Sequence, residues 1–368
     1  MQRNISPVVF CSTANDWVQV HLAQTPLAGQ KSLGDVARIA TLNILADCWP
    51  FFVELAICSK LRYQWLAQEL TRLDATVLCL NEVTLSALET LMSEPFVREN
   101  YFASEWGDSL TMRSINQTFK KHGCFILSKV PFDSLSAFEW NRPSTRNNRE
   151  VIVAQLTMCG VPTVVCATHT CHRQKNYRKR DEQIRELKQS LDADPKFENA
   201  KALFILGDLN MYSSSEDATI LHNAMLDLWA ETHFSDTAPW NDSDPGYTFD
   251  SDRNDMIPRY IPGHTRRARL DRILMRENSM LKPAAKCTVW ANQPVDSDHP
   301  EIFPSDHFGL SIDLERATEP TAGNQKAKEV LEKNAEEQPV MHKRSLYSNT
   351  VGVGKHCVWL LGRAAGVV

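Results

Sequence analysis

Apolar residues recur along this chain in two rhythms. Short runs in which every position or every second one is apolar predict β-strands. These are Ala37-Arg-Ile-Ala-Thr-Leu-Asn43, Ala75-Thr-Val-Leu-Cys-Leu80, Gly123-Cys-Phe-Ile-Leu127, Val151-Ile-Val-Ala-Gln-Leu156, Thr163-Val-Val-Cys-Ala-Thr168 and Ala202-Leu-Phe-Ile-Leu206. Arg269 to Met275 and Phe308 to Leu314 complete the set. Between them Leu66, Leu70 and Leu73, the Leu/Ala-rich stretch Leu85 to Met92, and Ile184, Leu187 and Leu191 fall at helical spacing. A further helix is expected near Asp217 to Trp229. Strands and helices interleave throughout, the pattern of an α/β domain over residues 37–315.

The flanks lack this regularity. Residues 1–36 keep no sustained period and read as an irregular leader, or as a strand laid on the domain edge. Gly246, Pro258, Pro262 and Gly263 punctuate a polar insert between Asn241 and Thr265, long enough to serve function. After Leu314 the composition turns to Ala, Glu, Lys, Gln and Asn, so 316–368 reads as a mostly disordered tail with a short helix near Gln325 to Glu337.

Composition narrows the partners. With 43% hydrophobic and 23% charged residues, the 368-residue chain can bury a large core. No run reaches the ~18 apolar residues of a spanning helix, so no membrane is expected. A net charge of −5 excludes the global basic field that holds long duplex by counterion release. Nucleic acid would be held locally, beside Arg173-Gln-Lys-Asn-Tyr-Arg-Lys-Arg180 or Arg266-Arg-Ala-Arg269, although solvated surface charge is the default reading of each cluster. The ten cysteines are scattered without a CxxC or a secreted framework, which suggests reduced thiols and an intracellular place, nucleus or cytoplasm. The mitochondrion is an alternative, since only Asp16 precedes Asp35 among the acidic residues.

Polar residues stand immediately after apolar strands at Asn43, Glu82, His169, Asp208 and Asn210. Each has a bland explanation, because strands end in polar residues and Asn, Asp and Gly form turns. Five such positions in one chain strain that explanation. Glu82 and Asp306 have the hard oxygens that Mg²⁺ takes. Asp208 could orient and deprotonate a water, Asn210 could hold water or phosphate, and His307 could contact a phosphoryl oxygen. Asp271 is the best candidate to orient His307, though alone it reads more readily as a salt-bridge partner of Arg269 or Arg272. Ser305-Asp-His307 has triad letters without a Gly-x-Ser-x-Gly elbow, and neither a Walker loop nor a zinc motif is present.

The ordered set Asn43, Glu82, Thr168-His169, Gly207-Asp-Leu-Asn210, Leu270-Asp271 and Ser305-Asp-His307 resembles the endonuclease/exonuclease/phosphatase superfamily over residues 38–314. The resemblance implies a four-layered α/β sandwich, two packed mixed sheets flanked by helices, with its site at the strand ends. Longer strings are similar to the 5′-tyrosyl-DNA phosphodiesterase branch: Pro143-Ser-Thr145 with Arg149, Tyr247-Thr-Phe-Asp250, Arg269 to Arg276 and Phe303 to Leu310. It implies a hydrolase in which Glu82 and Asp306 carry Mg²⁺, or Mn²⁺ in its place, with Asn43 nearby. Asp208 and Asn210 would handle water and phosphate, His169 and His307 the transition state, and Arg149 the strand. Where that branch has a serine, this chain has His172, a candidate phosphate contact.

The resulting expectation is cleavage of a phosphodiester at a nucleic-acid end, a DNA end before an RNA end, with a protein–DNA adduct as substrate. The oligomeric state is left open. Thr41-Leu-Asn-Ile-Leu-Ala-Asp47 resembles the superfamily's deadenylase branch, which keeps an RNA 3′-exonuclease or a small-molecule phosphodiesterase as alternatives. A third reading is an inactive module that binds nucleic acid or protein.

Overall fold

In the computed structural model of the protein, residues 2–20, 34–105, 122–141, 150–212, 214–234, 246–263 and 265–336 are described. Side chains alternate across each strand, and here the alternation sorts them into separate cores. Along Val36–Asn43, Ile39 packs between the sheets while Ala40 and Leu42 pack outward. Val77–Thr84 divides Val77 and Cys79 from Leu78 and Leu80 in the same way. Val161–His169 divides Val165 and Ala167 from Val164 and Cys166, and Ala202–Asp208 divides Phe204 and Leu206 from Leu203 and Ile205. Both faces of these strands are covered, which is why they read as nearly unbroken apolar runs.

The inner faces meet between two mixed sheets. One is seven-stranded, in the order Gln2–Asn4, Phe132–Phe138, Val151–Met158, Val161–His169, Ala202–Asp208, Asp271–Arg276 and Met225–Asp227. The other is nine-stranded: Ser279–Pro283, Gly309–Thr321, Val36–Asn43, Val77–Thr84, His122–Ser128, Phe102–Ala103, Val8–Cys11 and Asp16–Gln19 in order, with Thr288–Trp290 also paired to Gly309–Thr321. Helices Ser59–Leu73 and Leu85–Ser93 cover the outer face of the second sheet through Leu66, Leu70, Leu88 and Leu91. Tyr177–Ala193 covers the first through Ile184, Leu187 and Leu191. This is the expected four-layered α/β sandwich. No helix among the described residues is long and apolar enough to cross a membrane.

Four local expectations are corrected. In place of an irregular leader, residues 2–19 supply three strands at the sheet margins, Gln2–Asn4 and Asp16–Gln19 outermost and Val8–Cys11 one place in, so the edge-strand alternative is the one realised. The helix expected near Asp217 to Trp229 is broken into Ala218–His222, the strand Met225–Asp227 and Leu228–His233. The break falls at Ala224, at φ +50°, and lets Met225–Asp227 pair with Asp271–Arg276. Val77–Thr84 runs on past Asn81-Glu82 through a bulge, with Glu82 at φ +59°. The final strand extends to Thr321 and is followed by helix Gln325–Glu336; the rest of the tail lies outside the described residues.

Gly207 carries a demand of its own. It lies at φ +135°, and a Cβ there would stand 2.0 Å from the Thr168 carbonyl oxygen and 2.7 Å from Asn81 Oδ1. Backbone cannot yield to that clash as a side-chain tip could. Gly207→Ala is expected to cost roughly 3 kcal/mol of stability, read from the midpoint of urea unfolding; an unchanged midpoint would mean that the strands are not in this close approach.

Candidate active site

Register brings the polar strand ends to one edge of the sandwich. Asn43 pairs with Asn81, His169 with Asp208, and Asp208 with Asp271. Asp306-His307 lies just before Gly309–Thr321, the neighbour of Val36–Asn43. The two sheets are stitched here by Asn81, a fully buried residue. Its Nδ2 donates to the Thr168 carbonyl at 3.0 Å and lies 3.2 Å from Cys124 Sγ, while its Oδ1 accepts the Asp208 N–H at 2.9 Å. A carbonyl and an N–H at the paired ends of Val161–His169 and Ala202–Asp208 are thereby satisfied from the opposite sheet.

Asp208 is held from several sides. Its Oδ2 accepts from Asn43 Nδ2 at 3.1 Å and stands 3.1 Å from His169 Nε2, and its Oδ1 accepts the Asn210 N–H at 2.9 Å. The Asn43 Oδ1 accepts the Leu45 N–H at 3.1 Å, so the amide is locked with its donor toward Asp208. Asn210 is at φ +50°, a conformation asparagine tolerates better than most residues. Its Oδ1 accepts from the Tyr212 hydroxyl at 3.1 Å, leaving Nδ2 as the outward donor, 3.4 Å from the Thr170 carbonyl.

His307 and Asp271 form the second group, with Nδ1 2.7 Å from Asp271 Oδ2. His307 Nε2 lies 3.9 Å from Asp208 Oδ2. Burial opposes a charged imidazole, but Asp271, Asp208 and Asp306 outweigh it and hold the His307 proton well above the usual histidine range. The Asp271 carboxyl is itself pushed up by burial, with His307 opposing the shift. The salt-bridge alternative for Asp271 is not realised. Asp227 takes both arginines at 2.7 Å, Arg269 through Nη2 and Arg272 through Nη1.

Glu82 and Asp306 flank the more open side. Glu82 Oε2 accepts the Ala46 N–H at 3.3 Å, and its Oε1 is 4.0 Å from His169 Nε2. Tyr260, on the short helix Met256–Tyr260 of the insert, donates to Asp306 Oδ2 at 2.5 Å. Burial and the Asp306 and Glu82 carboxylates push its hydroxyl pKa well up, so it remains a donor between the two acids. Behind them the fully buried Arg62 gathers the loops. Its guanidinium donates to the carbonyls of Ile57, Ile44, Leu45 and Pro304 at 2.7–3.0 Å and to Ser59 Oγ at 2.9 Å. Leu45 is thereby held at φ +54° and Pro304 is fixed two residues before Asp306.

These donors suit a hard divalent cation. Glu82 and Asp306 both bear on Tyr260, Asp306 through a hydrogen bond and Glu82 through its charge, and their carboxylate oxygens are the donor type that Mg²⁺ or Mn²⁺ takes. Asp208, Asp271 and His307 also bring ligand atoms within 4.8 Å of one another. There, however, the His307 and Asp271 atoms face each other at hydrogen-bond distance, which suits a shared proton better than an ion.

Of the residues singled out in the sequence, Asn43, Glu82, His169, Asp208, Asn210, Asp271, Asp306 and His307 thus meet at one end of the sandwich. His172 is exposed in the loop after Val161–His169, where its carbonyl accepts from Asn176 Nδ2 at 2.6 Å. Arg149 and Pro143-Ser-Thr145 lie outside the described residues. Asn81, Arg62, Tyr212 and Tyr260 were not anticipated. Asn81 offered one signal, a polar residue between an apolar strand and a candidate ligand; Arg62 offered none beyond an arginine on a helix whose apolar face is buried.

Two facing mixed sheets flanked by helices, with carboxylates, amides and histidines gathered at their shared edge, define a four-layered α/β sandwich with a strand-end site. The endonuclease/exonuclease/phosphatase family model matches residues 40–307, and the chain belongs to that family, whose members are typically hydrolases of phosphoester bonds. Among solved structures it is similar to humanized D. rerio TDP2 with 14 mutations, at 18% identity and a TM-score of 0.55, covering 77% of this chain and 100% of that one. It is also similar to D. rerio TDP2 complexed with a single strand DNA product, at 18% identity and a TM-score of 0.53, covering 76% and 99%. The human Nocturnin catalytic domain with bound sulfate anion matches at 16% identity and a TM-score of 0.53, covering 77% and 95%. At these identities the likeness is one of fold. No curated protein matches the chain.

Arg62→Met would keep much of the side-chain volume and take the guanidinium donor from the carbonyls of Ile57, Ile44 and Pro304, while Leu45 would keep the Tyr63 hydroxyl at 3.1 Å. It is expected to destabilise the protein by about 3–5 kcal/mol, measured by chemical unfolding; a loss under about 1 kcal/mol would mean that water or relaxation satisfies those groups.

Proposed function

We propose that the protein is a divalent-metal-dependent phosphodiesterase acting at a nucleic-acid end, with 5′-phosphotyrosyl DNA as the leading substrate. The observation that carries this reading is the convergence on one strand-end cleft of Asp208, held by Asn43 and His169, and of His307, held by Asp271. Asp208 orients the attacking water and receives its proton, its carboxylate fixed by three contacts. Asn210 Nδ2 and His307 Nε2 serve as donors to phosphoryl oxygens, each aimed by a partner on its other atom. His169 supports the Asp208 carboxylate and lends its Nε2 to developing negative charge. Held by Glu82 and Asp306, Mg²⁺ or Mn²⁺ would supply charge neutralisation on the phosphoryl group and stabilisation of the leaving oxygen. Asn43 donates to Asp208 and so acts on the water-handling group, while the second lone pair of its Oδ1 remains for a place beside the metal.

The DNA-end preference draws on Tyr247-Thr-Phe-Asp250 and Phe303 to Leu310, and on the fold likeness to a TDP2 holding a DNA product. An RNA 3′ end is the second reading, favoured by the Thr41 to Asp47 string. All nine described cysteines are free thiols, which supports a reducing compartment, nucleus or cytoplasm.

With Mg²⁺ present, 5′-phosphotyrosyl DNA is expected to turn over faster than poly(A) RNA or an inositol phosphate, and EDTA to abolish turnover. Cleavage of RNA alone would replace the leading substrate, and activity in chelator would remove Glu82 and Asp306 from a metal role. Asp208→Asn should lower kcat by about 10³-fold or more while leaving the folding midpoint nearly unchanged; a variant with near wild-type kcat would show that another group handles the water.

The His307 charge has a sign that can be followed. Its raised pKa keeps the imidazolium at neutral pH, and the charge is lost only as pH climbs through that raised value. Asp271→Asn removes the nearest negative partner, so the alkaline limb of the kcat profile should move to lower pH. An unmoved limb would separate His307 from the titration.

A further inference from the structure

The two basic clusters picked out in the sequence converge on one side chain. The guanidinium of Arg180 lies 5.1 Å from the Tyr212 ring centroid, and that of Arg266 lies 4.6 Å from it. The two arginines differ in what else they meet. Arg180 is buried, clamps Glu216 through two 2.7 Å bonds and donates to the carbonyls of Cys171 and Arg173, so its charge is answered inside the protein. In the other cluster, Arg267 faces Asp250 at 3.5 Å and Asp252 at 3.7 Å, and Arg269 meets Asp227 at 2.7 Å. Arg266 is the exception: among the described residues no carboxylate pairs with it, and its guanidinium rests on an aromatic ring.

Its place beside the cleft is well determined. Arg266 N–H donates to Ser251 Oγ at 2.8 Å, and its carbonyl accepts the Ser251 N–H at 3.0 Å. It thus leaves the two-stranded ribbon of Phe249–Asp250 and Arg267–Ala268, whose Phe249 ring stands 5.3 Å from the His307 ring. Tyr212 in turn accepts the Arg173 N–H at 3.1 Å and donates its hydroxyl proton to Asn210 Oδ1 at 3.1 Å. The cation is therefore one side chain away from Asn210. Contact through the ring face leaves the guanidinium N–H fork available for an oxyanion, the geometry in which arginine binds phosphate bidentately.

We propose that Arg266, carried on Tyr212, is a second phosphate subsite that binds the phosphodiester adjoining the one cleaved, so that the cleft takes an oligonucleotide strand in preference to a mononucleotide ester. A substrate with a single phosphate would be served by Asn210, His307 and the metal ligands and would leave Arg266 without an anion. The proposal rests on the phosphodiesterase reading of the cleft.

The test is binding to the full chain in EDTA, so that no turnover contributes, with 5′-phosphorylated hexathymidylate and thymidine 5′-monophosphate as probes. Arg266→Gln is expected to weaken the hexanucleotide about tenfold and the mononucleotide far less, and to flatten the dependence of log Kd on log salt by ~0.7, one single-strand phosphate contact. Arg266→Lys should recover part of the loss. Lys282→Gln, which removes a cation paired with Glu315 at 3.0 Å on the edge strand Ser279–Pro283, should bind both probes as the parent does. Equal losses on both probes, no loss, or a parent protein that does not bind the hexanucleotide would each overturn the subsite. Strand binding through Arg266 in a protein that hydrolyses none of the three substrates above would instead overturn the enzymatic reading and leave the subsite standing.

Discussion

The site exists because two sheets close against each other at one edge, and that closure depends on Asn81. Where parallel strands stop, their last carbonyls and N–H groups lose their ladder partners, and in a dry interior each orphan costs ~1–3 kcal/mol. Asn81 reaches from the nine-stranded sheet to answer the Thr168 carbonyl and the Asp208 N–H of the other. A carboxamide carries its donor and its acceptor on separate atoms, one for each member of that pair. Gly207 completes the arrangement by having no Cβ to fend off Thr168 and Asn81. His169 and Asp208, on either side of this junction, are set at 3.1 Å by the backbone that Asn81 and Gly207 bring together.

The two halves of the cleft are held by different physics. On the Asp208 and His307 side, both Asp208 oxygens and His307 Nδ1 have protein partners, and the groups are buried. Charges buried together in low dielectric strengthen one another and shift protonation, which is why His307 keeps its proton. On the Glu82 and Asp306 side the backbone is bent: Leu45 and Glu82 both have positive φ, and Arg62 ties the carbonyls of the first loop to that of Pro304. Positive φ at a leucine and a glutamate costs energy that Arg62 and the Glu82 bulge must offset. A rigid proton-handling wall thus faces a pair of acids seated on shaped loops.

Much of this was legible in the residues, for a reason that also marks the limit. Strand-end polar residues read clearly because each followed an apolar run, and register then carried them together with no further instruction, as with His169 opposite Asp208. The helix expected at Asp217 to Trp229 failed because its apolar residues serve two surfaces. Met225 packs with the outer core and Leu226 with the inner one, the alternation of a strand inside a stretch with helical composition. Asn81 and Arg62 were illegible because their roles lie in bonds to backbone atoms distant in sequence, Thr168 for one and Pro304 for the other. No local periodicity encodes such a bond.

The Arg269 and Arg272 pair makes the same point from the opposite direction. Spacing alone placed Asp271 beside two arginines, and a salt bridge there would have removed it from the site. The fold decides otherwise: Asp271 opens its strand beside His307, while Asp227, on the neighbouring edge strand, receives both guanidiniums at 2.7 Å. Against the cost of burial, those two cations hold the Asp227 carboxyl below its usual range, and Asp217, 3.3 Å from Arg272, supplies the second carboxylate, so the edge ion cluster is balanced without Asp271. Asp271 is left to His307. The short strand Met225–Asp227, which looked like helix, is therefore what frees the carboxylate on which the His307 proton depends.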